Sequence, residues 1–432
     1  MDSPSIHDKQ ACLEIMPIAH PLAASVCLPG SKSLTNRALL IAALANGKTT
    51  LTNALFSDDS EYFYKSLQRL GFEVRADKLS LSHTVHGLGG RIPVRQAELY
   101  IGNAGTAARF LTAMLCLAHG RFGMDGDPRM HERPIGDLIR ALNQLGAQVF
   151  SPTGCLPLTV DAAGLAGGKA SIFGDVSSQF LSGLLMVAPY AESPVEVVVL
   201  GGLNSKPYID MTLGVMADFG VEADRDGYER FQLRPSCYLA RESYAIETDA
   251  SAASYFFAAP AVLGGTVRVG NISKNSKQGD IAFLDVLQQM GCKVQTGPGY
   301  IEVTGPDELR GIDVDMRDIS DTAQTLAAIA PFASSPTRIR GIGFIRAKET
   351  DRIAAVCTEL SRLGVEVCED TDGMTIFPAR SIRPTCVHTY NDHRMAMAFS
   401  LIGLRAAGIS IENPACVSKT FPNYFDVLET LR

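Results

Sequence analysis

Residues 29–40 read PGSKSLTNRALL, a Pro-Gly break followed by hydroxyls, Lys32 and Arg37, and then an apolar run. A helix start offers unpaired backbone N–H groups and a partial positive charge, so Ser or Thr here serves first as a cap. Two cations go beyond capping. Ser33 and Arg37 stand four residues apart on one helical face, beside Lys32, and together suit a phosphate. Four further segments set small or charged residues before an apolar run. GNAGTAARFLTAMLCLA, from Gly102, leaves the backbone at Gly102 and Gly105 open to close approach by an anion. DVSSQFLSGLLMVA brings Ser177, Ser178 and Gln179, and AKETDRIAAV brings Lys348, Glu349 and Arg352, with Lys348 and Arg352 one turn apart on a single face. NDHRMAMAFSLIGL brings His393 and Arg394 after an Asn-Asp cap; PRMHERP adds Arg129 and Arg133, and SKTFPNYF adds Lys419. Capping accounts for most of the polarity of any one segment. Together, Lys32, Arg37, Arg133, Lys348, Arg352, Arg394 and Lys419 form a basic set in a chain of net charge −7. If they converge, a polyanionic ligand would relieve their repulsion, as in an enzyme that closes on its substrate; the alternative is a scatter of solvated surface cations.

The elements that must carry these residues repeat. LQRLGFEV, LNQLGAQV, MADFGVEA, LQQMGCKV and LSRLGVEV place Gly71, Gly146, Gly220, Gly291 and Gly364 at intervals of roughly 71 to 75 residues. In each phrase an amphipathic stretch ends at a glycine suited to a left-handed helix stop, and a strand-like stretch follows. FDVLETLR is a sixth copy without its sequel. The period suits a compact unit of two helices and several strands, and six units divide into two groups of three, with the midpoint near residues 241–255. The expectation is an α/β chain of two pseudo-symmetric domains, 30–245 and 1–29 plus 246–432, with the ligand in the cleft between them. ANGKTTLTN resembles a phosphate loop only superficially, since Ala42 stands where that motif needs glycine and a helix over Leu34 to Ala45 precedes it. It reads as a turn into a strand, and GLGG at 87–90 as a turn.

At 432 residues, 46% hydrophobic and 20% charged, the chain has the make-up of a two-domain globular protein. Its acidic balance argues against a nucleic-acid or membrane-surface binder. No apolar run reaches the roughly 18 to 20 residues of a membrane span. MDSPSIHDKQACLEIMPIAH has neither the apolar core of a secretory signal nor the arginines of a transit peptide, so cytosol is expected. The ten cysteines form no Cys-x-x-Cys and often sit in apolar runs, which suggests reduced, mostly buried thiols. The histidines show no ligand spacing, so no metal is expected.

The series PGSKSLTNRALL, GNAGTA, PRMHERPIG, VSSQF, SKPYID, DASAASYF, NSKQGD, KETDR, YNDHRMAMAFS and KTFPNYF, in this order over almost the whole chain, resembles the 5-enolpyruvylshikimate-3-phosphate synthase family. The resemblance implies two domains of three βαβαββ units each, an inside-out α/β barrel arrangement, and transfer of the enolpyruvyl group of phosphoenolpyruvate to the 5-hydroxyl of shikimate 3-phosphate. No cofactor is implied, and a monomer is expected. By the same matching, Lys32, Ser33, Arg37, Ser177, Ser178, Gln179, Ser205, Tyr208, Asp321 and Lys348 contact shikimate 3-phosphate. Lys32, Gly105, Arg133, Gln179, Arg352, His393, Arg394 and Lys419 contact phosphoenolpyruvate. Asp321 is the expected base for the hydroxyl, an aspartate among cations being ionised at neutral pH. Glu349, with Lys32 as a competitor, is expected to protonate C3, although a carboxylate crowded by Lys348 and Arg352 should stay ionised.

Three positions depart from the family pattern. Phe344 replaces an Asn and should lose or move a polar substrate contact; His131 stands beside Arg133 where Lys is common; Phe110 takes the place of a usual Pro. Because Phe110 follows the Gly105 loop, altered affinity for phosphoenolpyruvate and for its inhibitor glyphosate is expected. The sister enzymes that act on a UDP-amino sugar carry a reactive Cys near the PRMHERP region, and none occurs here between Cys116 and Cys155. A non-catalytic binding protein on the same fold would be expected to lose Asp321, Glu349 or Lys32, and all three are present.

Overall fold

The five glycines of the repeated phrase adopt left-handed φ angles between 81° and 106° in the computed structural model, which describes residues 12–432. A Cβ is disfavoured at such angles, so each glycine stops a helix and turns the chain into a strand. Residues 1–11, which carry most of the N-terminal stretch read above for targeting signals, lie outside the described residues.

The chain divides into two units, Gly30–Glu247 and the segment up to Pro29 together with Thr248–Arg432. The Gly30–Glu247 unit contains α1 (Lys32–Leu44), α2 (Asp58–Arg69), α3 (Gly105–Leu115), α4 (Gly136–Gln144), α5 (Ser178–Val187) and α6 (Lys206–Asp218). The other contains α7 (Ala250–Leu263), α8 (Phe283–Gln289), α9 (Ala323–Ile329), α10 (Arg352–Arg362), α11 (His393–Gly403) and α12 (Tyr424–Glu429). Odd and even helices differ in kind. Every residue of α3, α9 and α11 is buried, and α1, α5 and α7 are nearly so. A helix apolar all round can only sit inside a unit. By contrast, α4 buries only Leu138, Ile139, Ala141 and Leu142, and so packs one face inward.

Sheets surround these inner helices in one recurring pattern, a parallel pair followed by two antiparallel strands. Gln96–Tyr100 runs parallel to His119–Asp125, which pairs antiparallel with Leu158–Ala163, and that with Val149–Phe150. Gly168–Phe173, Val195–Leu200, Arg230–Leu233 and Asp224–Asp226 repeat the order. In the first sheet of the Gly30–Glu247 unit the leading strand is Ser243–Ala245, drawn from the unit's end and set parallel to Asn46–Thr52. Its counterpart in the other unit is Leu22–Val26, parallel to Gly265–Gly270. The strands that precede α1 and α7 in sequence are therefore left in the opposite unit. Among the described residues the sixth sheet has three strands, and Cys12–Ile15 fills the third place, antiparallel to Ile409–Glu412.

Three readings change. GKTT lies within the strand Asn46–Thr52, not before it. The helix ahead of it begins at Lys32, because Ser31 accepts the Leu34 N–H at 3.4 Å and so caps it there. The ten cysteines are all unpaired, but only Cys116, Cys292 and Cys357 are buried. The apolar-run argument holds for Cys116, whereas Cys292 is buried although it stands between Gly291 and Lys293; residues such as Cys12 and Cys368 sit on exposed strand positions.

Candidate active site

In the Gly30–Glu247 unit the expected residues gather at helix N-termini. Lys32, the first residue of α1, sets its Nζ 3.3 Å from Oδ2 of the buried Asp59 on α2. One turn on, Arg37 Nη1 donates to the Ser33 carbonyl at 3.0 Å, as the four-residue spacing requires. Arg37 is 1% exposed, and its guanidinium also reaches Thr212, Ser182 and the Tyr208 carbonyl. Burial, hardly offset by Tyr208, pulls its pKa down to about 10.

The backbone at Gly105 is as open as its residue type suggests, and the space has an occupant. A Cβ built there would lie 2.4 Å from Arg133 Nη2. Arg133 is held by the Asn103 side chain at 2.9 Å, while Arg109 ties the loop to the next segment by donating to the Gly105 and Pro134 carbonyls at 3.2 and 2.6 Å. On α5, Ser177 caps the helix through the Gln179 N–H, and Gln179 Nε2 donates to Thr106 Oγ1 at 3.2 Å, joining α5 to α3. Ser205 precedes α6 at φ 56°, a left-handed angle that a serine seldom adopts. His131 lies against Asp125 at 2.7 Å, with both side chains exposed.

The other unit builds a denser cluster. Arg352 opens α10 and is shared by three carboxylates: Asp392 at 2.7 Å, Glu349 at 2.8 Å and Asp321 at 3.2 Å. Burial works against its charge, but these carboxylates outweigh it and raise its pKa above the ordinary value. Arg394 donates from Nη2 to Asp321 Oδ2 at 2.8 Å and from Nη1 to the Asp321 carbonyl at 3.0 Å. Asp321 thus stands between two guanidiniums. Asp392 caps α11 through the Arg394 N–H at 2.9 Å, with His393 Nδ1 3.4 Å away. Lys419, 8% exposed, ends the turn Pro414–Lys419.

Lys348 and Arg352 do not share a helical face. Asp351 caps α10, accepting the Ala354 N–H at 3.0 Å and pairing with Arg346, so the helix starts only at Arg352 and Lys348 is left in the preceding loop. Phe344, in the turn Gly343–Ala347, is half-buried and packs on the core. Sequence reading missed Asp59, Asn103, Arg109 and Asp392 as partners. All but Asp59 stand inside a quoted phrase, but nothing local identifies the partner that each one meets. Asp280 was missed too: it is buried, bonded to Ser251, and carries a carboxyl pushed up to about 7 by burial and by Asp321. Among the described residues no group of three His, Cys, Asp or Glu could hold a metal ion, and no helix is long and apolar enough to cross a membrane.

The profile of EPSP synthase (3-phosphoshikimate 1-carboxyvinyltransferase) matches residues 17–428. A 3-phosphoshikimate 1-carboxyvinyltransferase of Nostoc punctiforme is 52% identical over 415 residues, covering 96% of this chain and 97% of that one. One from Marinomonas is 47% identical, covering 94% and 96%. An EPSP synthase structure from Acinetobacter baumannii superposes with a TM-score of 0.81 at 25% identity, over 97% of this chain and 98% of that one. The chain therefore belongs to the EPSP synthase family, the enolpyruvyl transferases of the shikimate pathway.

Proposed function

We propose that in this chain Asp321 is the base that takes the proton of the 5-hydroxyl of shikimate 3-phosphate as its oxygen attacks C2 of phosphoenolpyruvate. The observation that carries the reading is the Asp321 carboxylate set between Arg352 and Arg394. Two rigid forks fix the direction of its oxygens before substrate arrives, which general-base catalysis needs. C3 gains a proton, from Glu349 or in its stead from Lys32; the tetrahedral intermediate then expels phosphate from C2 as C3 gives a proton back, which restores the enol double bond. Lys32, Arg133, Arg352, Arg394 and Lys419 stabilise the phosphoenolpyruvate carboxylate and the departing phosphate, with Gly105, Gln179 and His393 completing that seat. Shikimate 3-phosphate is held by Lys32, Ser33, Arg37, Ser177, Ser178, Gln179, Ser205, Tyr208, Asp321 and Lys348. Both substrates are small molecules, the acidic net charge of −7 supports a reading without nucleic acid or membrane surface, and the chain is read as a cytoplasmic monomer.

Phosphate release with phosphoenolpyruvate, measured against shikimate 3-phosphate and against UDP-N-acetylglucosamine, tests the acceptor; release only with the former is expected. Asp321→Asn should lower kcat by about 10²–10⁴ while binding of shikimate 3-phosphate persists. Near-normal turnover in that variant would remove Asp321 from the role of base.

A further inference from the structure

Among the described residues Arg37 is a buried cation without an anionic partner. Four of its five N–H groups are engaged, by Thr212 Oγ1 at 2.8 Å, the Ser33 carbonyl at 3.0 Å, and Ser182 Oγ and the Tyr208 carbonyl at 3.2 Å each, and every one of these acceptors is neutral. A guanidinium taken out of water normally has a carboxylate beside it. Here two aromatic rings take that place. The Phe110 ring centre lies 5.3 Å and the Tyr208 ring centre 5.9 Å from the guanidinium carbon. Phe110 is fully buried on α3, and its ring packs beside α5 at Gly183, where a Cβ would lie in ordinary contact 3.5 Å from the ring edge. An aromatic face attracts a cation without neutralising it, so the charge stays available to an anion that arrives later.

We infer that Phe110 is a positioning residue that acts through Arg37: it holds the guanidinium charged and oriented, and so sets the affinity for the anionic end of shikimate 3-phosphate and not for phosphoenolpyruvate. This rests on the assignment of Arg37 to shikimate 3-phosphate. It also redirects the expectation drawn from the Pro-to-Phe departure, because the side chain meets Arg37 instead of reaching the Arg133 seat through the Gly105 loop. Ser182 belongs to the same clamp.

The test is steady-state kinetics on the purified full chain, together with direct titration of shikimate 3-phosphate. Phe110→Leu should weaken binding of shikimate 3-phosphate and raise its KM about fivefold or more, a typical loss for a desolvated cation–ring contact. The KM for phosphoenolpyruvate and kcat should stay within about twofold, and Phe110→Tyr, which restores a ring face, should recover wild-type values. Ser182→Ala should show the same selective loss. Should Phe110→Leu fail to fold, Phe110→Met fills the volume without a ring and carries the same comparison. A rise in the phosphoenolpyruvate KM instead, an equal rise in both, or unchanged binding of shikimate 3-phosphate would overturn the inference. Wild-type protein that binds no shikimate 3-phosphate would end the functional reading itself, whereas a wild type that binds and a Phe110→Leu that binds equally would end only this inference.

Discussion

Arg352 Nε donates to Asp392 Oδ2 across 2.7 Å, and the two side chains are 2% and 0% exposed. One residue opens α10 and the other caps α11, so this pair sets the two helix starts that present Arg352 and Arg394 to Asp321. Its partners lie forty residues apart in sequence.

Asp392→Ala removes the partner of a buried guanidinium and the cap of α11 together. A loss of about 3–5 kcal/mol is expected, because Arg352 is left buried with less compensation. Asp392→Asn keeps the cap oxygen and should fall between that variant and wild type. Urea unfolding measures the order; an Asn variant as unstable as Ala would show that the charge, and not the cap, carries the whole effect.

Gly105→Ala should leave the fold intact and disturb the site. The added Cβ would meet Arg133 Nη2 at 2.4 Å, and a guanidinium end can swing away where backbone could not. Losing a charge-assisted contact of about 1.5–3 kcal/mol corresponds to a KM for phosphoenolpyruvate raised by roughly tenfold or more. The melting temperature should hardly move. A large drop in Tm with an unchanged KM would place the cost in packing instead.

Asp280 links stability to pH. Burial and then the Asp321 charge push its carboxyl from 3.8 up to about 7, while Arg394 and the Ser251 hydroxyl pull it back and Asp249 adds to the rise. Between those two values the folded state binds a proton that the unfolded state has released. The resulting stabilisation is complete below about pH 4 and is lost as pH rises through about 7. Asp280→Asn should flatten this dependence and gain on wild type above neutrality, by an amount on the order of a few kcal/mol. Parallel Tm-versus-pH curves for the two proteins would contradict the assignment.

His83 acts in the opposite sense. It is buried, stacked on Phe56 at 4.4 Å and beside Tyr64 at 5.1 Å, and burial lowers its pKa from 6.5 to about 4, although the Leu55 backbone favours the protonated ring. Below pH 6.5 the unfolded chain gains a proton that the folded chain refuses, so stability present above that pH falls by about 1.4 kcal/mol per unit towards pH 4. His83→Phe should soften the acid limb of the unfolding curve. Acid unfolding that is unchanged in the variant would assign the limb to other groups.

The sequence by itself determined the features that depend on near neighbours. A glycine at the end of an amphipathic stretch needs a left-handed angle whatever surrounds it, so all five helix stops were legible, and with them the count of repeating units. Ser33 and Arg37 meet because four residues make one turn. The ordered series of phrases carried the family. Only the tertiary structure decided which charge meets which. Lys348 left the face of Arg352 because Asp351 took the cap, a choice between two plausible helix starts that packing settled. The neutral cage around Arg37, the carboxylates on Arg352 and the raised Asp280 all come from residues brought together over long separations in sequence. Burial then decides their energetics, since the same side chains in water would be separate, screened and ordinary in their pKa.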